Sequence, residues 1–138
     1  MSGALVDTGV LLAFLDYADP WHERCHKLLA QTDIPVLTTA AVLTELFHLL
    51  KRRVRHIKTG LDLLETGGIV MVPTGPSDLP NILLLMRRYA DRPMDFADAT
   101  LVHVASREGI ADILTIDHDD FEAYRFGRNR KFRIQPSR

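Results

Sequence analysis

The sequence contains one cysteine, Cys25, in 138 residues. A lone thiol cannot close an internal disulfide, and it brings too few soft ligands for a structural zinc site. Long apolar runs are missing too. No stretch approaches the roughly 20 residues a helix needs to cross a bilayer. Asp7 interrupts the first apolar run, and no basic segment precedes it, which argues against a secretion signal. Neither charge predominates: 17 lysines and arginines face 18 aspartates and glutamates, for a net charge of −1. That balance points neither toward nor away from a polyanionic partner. Repeats, linkers and low-complexity tracts are absent. These absences lead us to expect a cytoplasmic protein with no membrane association, folded as one domain over residues 1–138. A chain of this size buries roughly two-thirds of its unfolded surface and needs no staple.

What is present is patterned. Short apolar runs at 3–6, 34–38, 69–72 and 113–116 read as strands, with a fifth, edge strand at 132–135. Helical segments alternate with them. One covers 10–15, and a second covers 21–30 with Pro20 opening it. A long one covers 40–53 behind Thr39 as N-cap, and another covers 58–65 and stops at Gly67–Gly68. A helix over 78–89 is capped by Ser77. Asp95 caps a further helix that runs to Glu108 and ends at Gly109, and a short one covers 120–124. Strands apolar on both faces, alternating with helices, predict a parallel sheet covered on both sides. The expected class is α/β, a three-layer α/β/α fold around a central parallel sheet of four to five strands.

Four carboxylates stand out against this frame. Asp7 and Asp117 fall at the C-terminal ends of predicted parallel strands, the edge where open α/β sheets bind ligands; each is also a good cap for the helix after it. Glu45 sits in "TTAAVLTELFHLL", a helix apolar almost all round, where a lone carboxylate is costly unless paired or bound to a cation. His48, one turn on, is the ordinary partner for it. Asp98 lies one turn into the helix that Asp95 caps, where the helix dipole only partly accounts for it. Two strand ends and two helices would bring four acids to one edge. Like charges there raise one another's pKa, and a hard divalent ion, Mg2+ or Mn2+, relieves the conflict.

Cations also cluster, at Lys51, Arg52, Arg53, Arg55 and Lys58 and again at Arg125, Arg128, Arg130, Lys131 and Arg133. The first run reads equally well as a solvated helix end or an RNA track. The second is the better candidate for phosphate contacts. His22, His26 and His48 lack zinc spacing and read as structural or surface residues. Leu83 to Met86 reads as core or a subunit contact.

The segments "LVDTGVLLAFLD", "LTTAAVLTELFHLL", "RYADRPMDFADATLVHVASREG" and "ILTIDHDDFEAYRFGRNRKFRIQPSR" resemble, in order and spacing, the PIN-domain family, and more narrowly the VapC-type ribonuclease toxins of bacterial toxin–antitoxin pairs. The resemblance spans nearly the whole chain. It implies metal-dependent hydrolysis of RNA, with Asp7, Glu45, Asp98 and Asp117 as the acids that hold metal and Thr8, Asp95, Thr115 and Asp120 in accessory places. Gly9 departs from the small polar residue common at that position. The neighbouring acids Asp119 and Asp120 leave the choice of Asp117 as fourth ligand open. The resemblance further implies an RNA substrate and an antitoxin protein from an adjacent gene; Arg128, Arg130 and Lys131 are the residues expected to hold the RNA, because the strand near them ends by the proposed site, and a homodimer is expected.

Other functions fit the residues less well. A receiver-like phosphoacceptor needs paired acids after the first strand and an acceptor after the third, where Asp7 stands alone and Val72 runs into Pro73. A phosphatase with a DxD opening is excluded by Thr8 and Gly9. A catalytically silent PIN scaffold should have lost one of the four acids. A housekeeping RNA-processing nuclease remains the alternative to a toxin.

Overall fold

The structure is a computed structural model, and it describes residues 2–138. Its centre is a five-stranded, wholly parallel sheet in the order β3-β2-β1-β4-β7. The strands are β1 (Ala4–Val6), β2 (Val36–Thr38), β3 (Val70–Met71), β4 (Asp112–Leu114) and β7 (Arg133–Gln135). Every residue of β1 and β2 is buried. Such strands show no polar alternation because helices cover both sheet faces, giving three α/β/α layers. Leu5 pairs with Leu37 on one side and with Ile113 on the other, and Ile113 pairs in turn with Ile134.

Among the described residues seven helices flank the sheet: α1 (Thr8–Leu15), α2 (His22–Gln31), α3 (Ala40–Leu49), α4 (Val54–Thr66), α5 (Leu79–Arg88), α6 (Phe96–Glu108) and α7 (His118–Ala123). None is long and apolar enough to cross a membrane. The chain leaves β1 toward β2 and β3, then returns past β1 to place β4 on its other side. The β1/β4 boundary is therefore a switch point, where the loops at the strands' C-terminal ends part and leave a crevice. Asp7 and Asp117 both lie on that side.

Local chemistry fixes the elements around the crevice. The Asp7 carboxylate accepts from the Thr8 N–H at 2.8 Å and caps α1. Thr39 caps α3 through the Val42 N–H, and its hydroxyl also meets that of Thr100 at 2.8 Å, tying α3 to α6. Asp95 caps α6 through the Asp98 N–H at 2.7 Å, and Gly109 closes that helix at φ 69°. That left-handed conformation is one glycine takes without steric cost.

Several boundaries differ from the sequence expectation. The helix expected over 40–53 ends four residues early, and the one expected over 58–65 begins four residues early, at Val54. α3 stops at Leu49, Leu50 is fully buried, and Lys51 and Arg52 turn the chain into α4. Arg53 then reaches the Asp16 carboxylate at 2.5 Å. α2 starts at His22, not beside Pro20, because Asp19 captures the Trp21 N–H at 2.8 Å and holds a turn there. Ser77 caps nothing: residues Pro76–Asp78 form a 3-10 turn, and the Asp78 carboxylate accepts from the Gly75 N–H. β4 ends at Leu114, two residues early, although the Thr115 N–H still donates to the Gln135 carbonyl. α7 begins at His118, so Asp117 lies in the loop beyond β4. An antiparallel hairpin of β5 (Arg125–Phe126) and β6 (Arg130–Lys131) was not expected. Its turn is made by Gly127 at φ 55° and Asn129 at φ 61°.

Candidate metal centre

The crevice is built around Asp7. Its Oδ1 accepts from Thr8 N–H, and its Oδ2 accepts from the buried Thr115 hydroxyl at 3.1 Å. Thr115 also accepts from the Asp117 N–H at 3.0 Å. One threonine therefore ties both acids to the end of β4. The Thr8 hydroxyl does not face the acids; it donates to the Val42 carbonyl of α3 at 3.5 Å. Burial raises the Asp7 carboxyl to about 6 against the lowering effect of its two hydrogen bonds, and the charges of Glu45 and Asp117 add to the rise.

Asp98 projects from the first turn of α6 and is buried. Among the described residues its only side-chain donor is the Tyr124 hydroxyl, at 3.1 Å from Oδ2. Burial pushes its pKa to about 8, and the charges of Asp7, Asp95 and Asp117 push the same way. Helix dipoles favour an anion in a first turn, but here desolvation and like charges outweigh that. Asp117 is raised to about 6 by burial and by its neighbour Asp120.

Asp98, Asp117 and Asp120 each bring a carboxylate oxygen within 4.8 Å of the other two. Three such groups cannot all stay ionised without a counter-charge. Hard oxygen donors at this spacing fit a divalent cation, so the chemistry of the donor set accords with a metal site. Asp120 was expected only as an accessory acid, yet it lies inside this group, while Asp119 turns outward to Arg138 at 2.6 Å.

Glu45 differs from the sequence expectation. It is exposed, because Val42, Leu43 and Leu46 form the buried face of α3 and Thr44, Glu45 and His48 lie outside it. The costly burial inferred from its neighbours does not arise, and among the described residues no ion pair joins it to His48. It stands close enough to act electrostatically on Asp7. With Asp95 and Phe96 it lines a groove of about 900 Å3.

Two contributors were missed. Tyr124 is fully buried against Tyr89 and Phe121, and its own hydroxyl is pushed upward by burial and by Asp98. Arg92 holds Asp120 at 3.0 Å. The spacing 117, 120, 121, 124 is a single helical face, a readable signal for Tyr124. Arg92 had none, since its role depends on a loop meeting α7. The expected phosphate contacts are divided. Arg128, Arg130 and Lys131 are exposed on the hairpin, with the Arg130 guanidinium 4.9 Å from the centre of the Phe126 ring. Arg133 is spent on Asp112 at 2.9 Å, and Arg138 on Asp119 and Glu122.

The family model of the PIN domain matches residues 4–127. Ribonuclease VapC26 of Mycobacterium tuberculosis is 27% identical over 135 residues, covering 96% of this chain and 99% of the relative. Among solved structures, M. tuberculosis VapC20, described as a sarcin-ricin loop cleaving toxin, superposes with TM-score 0.76 at 24% identity, over 84% of this chain and 91% of the other. VapBC2 of Rickettsia felis, bound to a DNA fragment from its promoter, gives TM-score 0.68 at 13% identity over 99% and 100%. At these identities the structural matches establish the fold.

Proposed function

The chain belongs to the PIN-domain family, and from that premise we propose that it is a metal-dependent endoribonuclease, the toxin of a toxin–antitoxin pair. The observation that carries the reading is the convergence of Asp98, Asp117 and Asp120 within 4.8 Å beside Asp7. The full-length likeness to Ribonuclease VapC26 supports RNA as the substrate.

In this reading Asp7, Asp98 and Asp117 hold Mg2+ or Mn2+, Asp120 joins them, and Glu45 faces the same cation from α3. The bound ion would supply water acidified for attack on phosphorus and positive charge beside the phosphodiester. The chain's own residues do the rest. Thr115 fixes Asp7 and Asp117 relative to each other. Tyr124 orients Asp98 through its hydroxyl, and Asp95 holds the first turn of α6. Arg92 keeps Asp120 turned toward the cluster. Arg128, Arg130 and Lys131 would carry backbone phosphates of the RNA. The products would bear 5′-phosphate and 3′-hydroxyl ends.

The chain would act as a single domain in the cytoplasm, and as a homodimer. An antitoxin encoded beside it would cover the acidic crevice, with a basic group set against the acids. Incubation of the chain with a panel of tRNAs and rRNA fragments, with Mg2+, Mn2+ or a chelator, tests the reading. Discrete cleavage that the chelator abolishes and the adjacent gene product suppresses is expected. Cleavage that persists without divalent ions overturns the metal-dependent mechanism, and no cleavage of any RNA overturns the nuclease.

A further inference from the structure

A second polar cavity, of about 480 Å3, lies between α5, α6 and the hairpin. Asn81, Arg88, His103, Arg107 and Arg125 line it, with the buried Leu85 and the exposed Leu84 as its apolar wall. One carboxylate enters it, that of Asp78, and its charge is fully engaged. Oδ1 meets His103 Nε2 at 2.7 Å and Arg107 Nη1 at 3.2 Å, and Oδ2 accepts from the Gly75 N–H at 2.7 Å. Arg107 shares its remaining charge with Glu108 at 2.8 Å.

The other two guanidiniums are different. Among the described residues neither Arg88 nor Arg125 pairs with a carboxylate. Arg125 is held in place by the carbonyls of Glu122, Ala123 and Tyr124, all of which accept from its Nη1, the first at 2.7 Å. A guanidinium fixed by neutral carbonyls keeps its full charge. With Arg107 neutralised by Asp78 and Glu108, the two unpaired guanidiniums of Arg88 and Arg125, in a partly apolar cavity, make a receptor for an anion and repel a cation.

We propose that this cavity is a second phosphate site, which seats a backbone phosphodiester of the RNA away from the one being cut. The proposal rests on the ribonuclease reading above. Three features favour an RNA phosphate over a free one. The helix that carries Asp98 runs directly into the cavity: His103 and Arg107 follow Asp98 by five and nine residues, about 7.5 to 13.5 Å along the axis at 1.5 Å per residue. At 100° per residue the two side chains are also turned about 140° and 180° from Asp98, so a strand that reaches both places rounds α6. Arg125 follows Tyr124, whose hydroxyl donates to Asp98, so one short segment serves both places. The cavity rim also continues through Gly127 into Arg128, Arg130 and Lys131, a path one strand can follow. Arginine is suited to phosphate because its planar donors match two oxygens at once, and Asn81 adds a neutral amide.

The test uses the full chain with Arg88→Gln and Asn81→Asp, both exposed positions, and a melting curve to verify folding. Binding of a labelled single-stranded RNA is measured without divalent ions across a salt series, and cleavage of that RNA is compared with cleavage of a dinucleotide too short to reach the cavity. Arg88→Gln should lower the slope of log affinity against log salt by about 0.7 and raise KM for the long RNA several-fold, leaving kcat and dinucleotide cleavage unchanged. Asn81→Asp should weaken long-RNA binding several-fold by repulsion. Wild-type cleavage with an unaltered slope and KM in both variants overturns the second site and leaves the nuclease standing. Inorganic phosphate binding lost in Arg88→Gln while RNA binding is unchanged assigns the cavity to a free anion and also overturns the proposal. Absence of cleavage by wild type overturns the nuclease reading and the second site together.

Discussion

Two aspartates at helix starts have opposite fates in this molecule. Asp78, ahead of α5, is held down to about 2, first by the Gly75 N–H and then by His103 and Arg107. Asp98, in the first turn of α6, is pushed up to about 8 by burial and by other acids. Both are within a turn of a helix N-terminus, so the dipole favours both about equally. The difference comes from the partners. The fold gives Asp78 three donors, two of them able to carry charge, and gives Asp98 one phenol among carboxylates. A carboxylate whose charge the protein has satisfied is a structural post. One whose charge is left unsatisfied, beside others like it, has affinity left over for a cation.

The largest expected effect breaks the second half of that contrast. Asp98→Asn keeps the shape of the side chain and removes its charge. Since removing groups that merely orient a metal's ligands costs about 10–100-fold, loss of a ligand should lower RNA cleavage by about a hundredfold or more while RNA binding survives. A rate assay beside a binding assay checks it, and near wild-type cleavage would take Asp98 out of the site.

The next effect concerns stability against pH, and its sign follows from the raised carboxyls. Between an ordinary Asp pKa near 4 and about 8, the folded state without metal binds more protons than the unfolded chain, so stability falls as pH rises through this window. Melting in a chelator should drop progressively from pH 4 to pH 9, and Mg2+ should flatten the drop. Asp98→Asn should be more stable than wild type at pH 9 without metal by a few kcal/mol, at about 1.4 kcal/mol per tenfold change in the carboxyl's acidity. Asp78 predicts the opposite limb. Its contribution is present above the ordinary Asp pKa and is lost as pH falls toward 2, so Asp78→Asn should lose stability at neutral pH and show a shallower acid limb. Equal responses of the two variants at high pH would erase the distinction.

A smaller effect tests how far positioning matters. Tyr124→Phe removes the one side-chain donor to Asp98 and should cost about 1 kcal/mol, with cleavage falling less than in Asp98→Asn. The hydroxyl lowers the Asp98 pKa, so its loss should shift the metal-dependent rise in cleavage to higher pH. A fall in rate with an unmoved pH profile would reduce Tyr124 to packing. The smallest effect lies on the hairpin. Arg128→Ala with Arg130→Ala should flatten the salt dependence of RNA binding by about 0.7 for each phosphate no longer neutralised, and leave Mn2+ binding as it was.

How much of this was legible in the sequence depended on the length of each signal. α6 was readable at both ends because Asp95 and Gly109 are strong caps, and Asp98 could therefore be placed within its turn. The sheet was readable because its strands are apolar on both faces. Asp7 and Asp117 could be assigned to one edge by topology alone. The hairpin was not, since two strands of two residues have no periodicity, and only Gly127 and Asn129 hint at a turn. The break after Leu49 was hidden by a run of good helix formers. Glu45 stood out through an expected burial that the structure does not bear out, because a helix with small residues at its margins exposes more of its circumference than its composition suggests. Asp120 and Tyr124 needed the direction of α7, which starts two residues earlier than its pattern suggests.

The central claim is that the crevice acids form a cation site because their mutual repulsion is unsatisfied. Calorimetric titration of Mn2+ into the chain at pH 7, repeated in buffers of different ionisation enthalpy, tests it most directly. An ion that binds there must displace protons held on the raised carboxyls, Asp98 foremost. The account predicts binding with release of about one proton, and loss of both the proton release and most of the affinity in Asp98→Asn. Binding with no proton released, or with the same release and affinity in the variant, would contradict it.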